Sequence, residues 1–240
     1  MLTAAATVTS RIRLGTLVAS PNFRHPLTLS REVTALDDVS LGRFDLGIGA
    51  GGRGWDATIL GQEPWSPAER ASRFAEFVEL TDRLLVEREV TWTGRYYRCN
   101  EGRSYPGCRQ QPRVPFVVAA TGPSAMKVVA RFGQGWVTTG PADGARNVAP
   151  SEGARAVAVQ RRLLEQACEA VGRDPSTLRH YVLLGPVLEQ GLSTVDEFSD
   201  TLGRYEESGV TDCVVHWPRA SEPFAGERSN FERMVLSQVG

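Results

Sequence analysis

The chain has 240 residues, 41% hydrophobic and 23% charged, an ordinary globular composition that excludes a disordered or fibrous protein. Twenty-seven basic residues against 28 acidic ones leave a net charge of −1, too even a balance for a nucleic-acid or anionic-membrane surface. No apolar run approaches the roughly 18 residues that span a bilayer. The start, Met1-Leu2-Thr3-Ala4-Ala5-Ala6, lacks the basic region of an export signal, so a cytoplasmic protein is expected.

The first strand signal is Arg11 to Val18, with Ile12 to Val18 as the strand. His25-Pro26 opens a helix with Leu29, Val33, Leu36 and Val39 on one face, ending at Leu41-Gly42. A second strand, residues 43–49, empties into Ala50-Gly51-Gly52-Arg53-Gly54. Ser66-Pro67-Ala68-Glu69 has the spacing of a capping box with proline at the first helical position, and Phe74, Phe77, Val78, Leu84 and Leu85 continue the apolar stripe. Residues 88–114 break the rhythm: Thr91 to Tyr97 predicts a small hairpin, and the loop after it is too polar for core. This stretch reads as an insertion.

Alternation then resumes. Strands are expected at 115–119, 135–138, 181–187 and 210–216, with helices from Gly122 through Phe132, from Ser151 to Val171, from Thr194 to Glu207 and from Asn230 to Val239. Strand and helix alternate without a composition break, which implies a single α/β domain over 1–240 with six parallel strands.

In such folds ligands bind in loops beyond the C-terminal strand ends. Three of those loops are unusual: residues 17–22, 49–52 and 119–124. The second holds G-x-G-x-x-G at Gly47, Gly49 and Gly52, but no helix opens on it before Pro67. The glycines therefore read as relief of crowding where a strand tapers, rather than as a dinucleotide fingerprint. In the third, Thr121, Gly122 and Pro123 fit either a phosphate seat at a helix start or an ordinary capped helix. His25 reads as a cap, His180 and His216 as partly buried strand residues, and Asp56 and Glu63 as solvated loop carboxylates. No metal-ligand spacing or nucleophile elbow is present, and no catalytic residue stands out. Cys99, Cys108, Cys168 and Cys213 form no C-x-x-C pair. Reduced thiols are expected, although Cys99 and Cys108 flank one loop that a bridge would close.

With these loops placed, the sequence resembles the bacterial luciferase-like monooxygenases, TIM-barrel oxidoreductases that use FMN or the deazaflavin coenzyme F420. Thr9 to Thr16, Phe23-Arg24-His25-Pro26, Ala35 to Ser40, Gly42-Arg43-Phe44 and Leu46 to Gly49 carry the likeness first. Arg73 to Glu76, Gly94 to Tyr97, Thr121-Gly122-Pro123, Ala130-Arg131 and Gly135-Trp136 follow in order. The resemblance implies a non-prolyl cis peptide at Leu17-Val18 supporting the cofactor ring. It implies that Gly49, Ala50 and Gly51 line that ring, and that Ala119, Ala120, Thr121 and Gly122 form the phosphate-binding turn. Gly52 stands where some deazaflavin-dependent dehydrogenases of this group place an acidic residue.

The resemblance also implies that two strand–helix units precede Thr9 in a full eight-stranded barrel, about 60 further residues. The expected protein is thus a luciferase-like barrel lacking its first two units, with an insertion at 88–114. It would be a dimeric F420- or FMN-dependent oxidoreductase or monooxygenase acting on a small organic substrate, with no nucleic-acid, membrane or metal partner. The alternative is a non-catalytic cofactor-binding remnant of the same family.

Overall fold

A computed structural model describes residues 1–52, 54–141, 146–221 and 224–236. The chain forms two compact units, Met1–Ala119 with Arg131–Gln134, and Ala120–Ala130 with Gly135–Gly240.

The first unit runs α1 (Leu2–Val8), β1 (Leu14–Gly15), α2 (Pro26–Val39), β2 (Phe44–Ile48), α3 (Trp55–Thr58), α4 (Pro67–Val86), β3 (Glu89–Thr93), β4 (Arg98–Arg103) and β5 (Phe116–Ala119). Strands β1, β2 and β5 are parallel, with Leu14 beside Phe44 and Leu46 beside Phe116. Phe44, Leu46, Ile48, Phe116 and Val118 are buried on these strands. Helices α2 and α4 pack on each other, and α4 buries Phe74, Phe77, Val78, Leu80 and Leu84 at helical spacing. Both helix starts are built as the sequence predicts. His25 Nδ1 accepts from the Leu27 amide at 3.2 Å, and Ser66 and Glu69 complete a reciprocal capping box.

The 88–114 insertion contains the expected hairpin, β3 paired antiparallel with β4. Its loop is not excluded from the core, however: Cys108, Arg113 and Val114 are buried. Carboxylates on the helices satisfy its polar groups. Asp37 of α2 accepts from the Gln110 amide at 3.0 Å and from its side-chain nitrogen at 2.8 Å. Asp82 of α4 accepts from Arg113 Nε at 2.6 Å. Burial of a polar loop costs little once its donors are paired.

The remaining elements are α5 (Pro123–Phe132), β6 (Gly135–Thr138), α6 (Pro150–Glu169), β7 (Arg179–Leu183), α7 (Val195–Glu207), β8 (Asp212–Val214) and α8 (Arg228–Leu236). Strands β6, β7 and β8 of the second unit are parallel. Met126, Trp136, Leu164, Val182 and Tyr205 are among its buried residues.

Among the described residues six strands thus pair in parallel, three in each unit, but three fall well short of their expected spans. β1 keeps two residues of the expected 12–18, because a bulge follows it. β7 stops at Leu183, since Gly185 turns back to bond the Leu188 carbonyl at 2.6 Å and Pro186 offers no amide. β8 spans 212–214 of the expected 210–216, and the His216 amide is taken by Gln190 Oε1 at 2.7 Å instead of a strand neighbour. The last helix starts at Arg228, and residues 237–239 of its expected span lie outside the described residues, as does Arg53 of the glycine loop.

Candidate functional site

After Gly15 pairs with Asp45, the next bridge between these chains joins Ala19 to Ile48. Four steps, 15 to 19, thus match three, 45 to 48, so the first chain bulges by one residue. The Leu17–Val18 peptide lies in that bulge and is cis, as the family likeness implies. Leu17 and Val18 are 45% and 37% exposed.

The glycines of β2 answer to this bulge. A Cβ on Gly47 would lie 1.8 Å from the Thr16 carbonyl oxygen. One on Gly49 would lie 2.7 Å from Val18 Cγ2 and 3.2 Å from Ala119 Cβ. The pattern is steric, as its tapering-strand reading requires; a helix does open before the expected Pro67, but it is the four-residue α3, starting at Trp55, and the Gly52 amide is taken by its Asp56 carboxylate rather than left free for a phosphate. Val18, Gly49 and Ala119, expected separately from three loops, meet at the ends of β1, β2 and β5.

The turn after β2 is held at three points. Gly51 has φ +83°, and a Cβ there would come 2.5 Å from Asn22 Nδ2. The Gly51 carbonyl accepts from Arg70 Nη1 at 2.8 Å, and the Gly52 amide donates to Asp56 Oδ2 at 2.7 Å. Asn22 Nδ2 donates to the same carboxylate oxygen at 2.8 Å. Asp56 is therefore not the solvated carboxylate expected from sequence, whereas Glu63 is exposed.

Arg73 on α4 completes the chain of contacts. It is 5% exposed, and its Nη2 donates to Asn22 Oδ1 at 2.7 Å. Its guanidinium carbon lies 5.2 Å from the Trp65 ring centroid. Among the described residues it has no carboxylate partner, and its Nε is buried without a hydrogen bond, as is Ser20 Oγ. A buried cation is ordinarily paired, so the placement of Arg73 calls for a reason beyond packing. Asn22 and Arg73 carried no site role from sequence, although Asn22 ends the unusual 17–22 loop and Arg73 opens a motif of the family likeness. The available signal for Arg73 was a charge on the apolar stripe of α4, at helical spacing from Phe77 and Leu80.

In the second unit, the Ala120 amide donates to the Val137 carbonyl at 3.1 Å, and the Ala120 carbonyl accepts from Trp136 Nε1 at 2.8 Å. This fixes the entry to the turn Ala120-Thr121-Gly122 that opens α5. Thr121 and Gly122 are part-exposed, and a Cβ on Gly122 would meet no described atom within 4 Å.

The histidines are buried or part-buried, as expected. His25 caps α2 and lies edge-on to Tyr97, with centroids 5.5 Å apart. Burial lowers its pKa below the ordinary value and does the same at His216. His180 Nδ1 pairs with the Gly209 carbonyl at 2.8 Å. Burial pushes the Tyr97 phenol up to about 12, too high for proton transfer near neutrality. The four cysteines are free thiols. Among the described residues no cluster of His, Cys, Asp and Glu is arranged for a metal ion, and no helix is long and apolar enough to cross a membrane.

Comparison with known proteins places this geometry. An uncharacterized protein of Mycobacterium tuberculosis is 32% identical over 221 residues, 92% of this chain and 69% of that protein. An F420-dependent glucose-6-phosphate dehydrogenase of Beutenbergia cavernae is 37% identical over 140 residues, 58% of this chain and 40% of that enzyme. The coenzyme F420-dependent tetrahydromethanopterin reductase of Methanopyrus kandleri superposes with a TM-score of 0.74 at 17% identity, covering 99% of this chain and 84% of that one. The last likeness shows the luciferase-like, TIM-barrel-derived fold. The sequence model of the luciferase-like monooxygenases matches residues 1–197, and the chain belongs to that family of oxidoreductases.

Proposed function

We propose that this protein binds coenzyme F420 or FMN and passes hydride between the cofactor and a small organic substrate. The observation that carries this reading is the meeting of Val18, Gly49 and Ala119 beside the Leu17–Val18 cis peptide. Gly49 puts no side chain between Val18 and Ala119, and the half-exposed Leu17 and Val18 offer an apolar ledge to a flat ring. The unpartnered Ser20 Oγ, on the loop after the cis peptide, is a polar atom that a polar cofactor would satisfy. The names of the Beutenbergia and Methanopyrus proteins, an F420-dependent dehydrogenase and an F420-dependent reductase, support hydride chemistry.

When bound, the cofactor would supply the redox chemistry. Leu17, Val18, Gly49, Ala50 and Gly51 would seat and shield its ring, joined by Ala119, which the family likeness assigns to the phosphate turn but which lies against Gly49. In the second unit, the turn Ala120-Thr121-Gly122 would suit a phosphate group through its backbone amides and the Thr121 hydroxyl. Oxygen incorporation is the second chemistry, favoured by the family's description as monooxygenases. The expected assembly is a homodimer, which light scattering tests.

Fluorescence titration with FMN and F420 tests the reading. The wild type is expected to bind at least one. Gly122→Asp has space for its side chain, so it is expected to fold normally while its carboxylate weakens binding at least tenfold. Unchanged affinity in Gly122→Asp removes this turn from the site. A wild type that binds neither cofactor overturns the proposal, and binding without turnover in dehydrogenase and oxygen-uptake assays favours a non-catalytic binding protein.

A further inference from the structure

We propose that Asp56, Asn22 and Arg73 are positioning residues, a relay that sets the turn Ala50–Gly52 against the loop following β1. The proposal rests on the reading that Gly49–Gly51 face the cofactor, and it assigns a task to three side chains outside that set.

The relay runs in one direction only. Asn22 is 9% exposed. Its amide oxygen is taken by Arg73 Nη2 at 2.7 Å and its amide nitrogen by Asp56 Oδ2 at 2.8 Å. Arg73 only donates and the Asp56 carboxylate only accepts, so a flipped amide would face a donor with a donor and an acceptor with an acceptor. Asp56 Oδ2 passes this orientation on by accepting the Gly52 amide at 2.7 Å. Gly51 lies directly on the amide, where a Cβ would be 2.5 Å from Asn22 Nδ2. Arg70 holds the Gly51 carbonyl at 2.8 Å.

Fold stability alone is a poor reason for this arrangement. Arg73 is desolvated with a neutral amide and the Trp65 ring as its described partners, while its Nε goes unmet. An apolar residue on that helix stripe would avoid the desolvation cost. The expense is understandable where a turn has to be held in one place to fit a ligand. Asn22 lies four residues beyond Val18 on the loop that carries the cis peptide, so the relay joins the two loops of the first unit that the cofactor reading uses.

The test is cofactor affinity in Asp56 variants, with thermal unfolding and amide exchange of the cofactor-free protein alongside. Asp56→Ala removes the acceptor shared by Asn22 and Gly52, and is expected to raise the cofactor Kd at least tenfold. Asp56→Asn retains an oxygen at that point and is expected to bind within about threefold of wild type. Asn22→Ala combined with Asp56→Ala is expected to bind no worse than the weaker single variant, because both break one chain. An Asp56→Ala affinity within twofold of wild type, at any melting temperature, overturns the relay. So does an Asp56→Asn variant as weak as Asp56→Ala, which would make charge rather than placement decisive. A wild type that binds no cofactor overturns the site reading itself. The Gly52 amide then decides the relay separately: faster exchange in Asp56→Ala but not in Asp56→Asn supports it, and equal exchange in all three refutes it.

Discussion

Replacing Glu76 by alanine is expected to loosen the whole insertion, although Glu76 lies outside it on α4. Its carboxylate collects four donors from the hairpin, three from its turn and one from Trp92 of β3. Oε1 accepts from Trp92 Nε1 at 3.1 Å and from the Tyr97 amide at 2.9 Å, and Oε2 accepts from the Arg95 and Tyr96 amides at 3.1 Å each. The turn also crowds this carboxylate, since a Cβ on Gly94 would come 1.9 Å from Oε1. The Arg95 amide is exposed and rehydrates on truncation, whereas the other three donors are part-buried. At about 1–1.5 kcal/mol for each donor stranded, the loss is about 3–5 kcal/mol. In a chain of this size that corresponds to a melting-temperature drop on the order of 10 °C. Circular-dichroism melts and urea titrations read it directly. Glu76→Gln keeps one acceptor oxygen and is expected to lose about half as much. A Glu76→Ala variant destabilised by less than about 1 kcal/mol would refute the claim that this carboxylate holds the hairpin.

Gly47→Ala would place its Cβ 1.8 Å from the Thr16 carbonyl, and is expected to cost at least about 3 kcal/mol or prevent folding; a native-like melt would contradict the bulge geometry. Burial lowers the His25 and His216 pKa values, so the unfolded chain binds more protons than the folded one as pH falls through the ordinary value, and stability is expected to decrease from about pH 7 toward 5. His25→Asn retains a helix cap and is expected to flatten that slope; identical slopes in variant and wild type would contradict it. Burial and the Asp212 charge push the Cys213 thiol up to about 11, and Cys99, Cys108 and Cys168 are buried, so thiol titration of the native protein at pH 8 is expected to be slow; rapid labelling of any of the four would contradict this.

Local rules made much of the fold legible. The Ser66 capping box and the His25-Pro26 start reappear with their hydrogen bonds, because caps depend on residues within four positions of each other. Strand ends were harder. The apolar run 12–18 continues past β1, and alternation cannot register an extra residue that only pairing with β2 reveals. Polarity misled at residues 104–114, because Gln110 and Arg113 meet Asp37 and Asp82 across 73 and 31 positions of chain. The same distance in sequence concealed the site's polar frame. Asp56 looked solvated because its partner Asn22 lies 34 positions away, and Arg73 reaches Asn22 across 51. Conversely, two motifs of the family likeness, Arg73 to Glu76 and Gly94 to Tyr97, prove to be one contact: the Glu76 carboxylate holds the turn.

The most direct test of the central claim is a crystal structure of the protein soaked or grown with F420 or FMN. The cofactor ring is expected against Val18, Gly49 and Ala119, beside the Leu17–Val18 peptide. A ring bound elsewhere, with those three residues left bare, would contradict it.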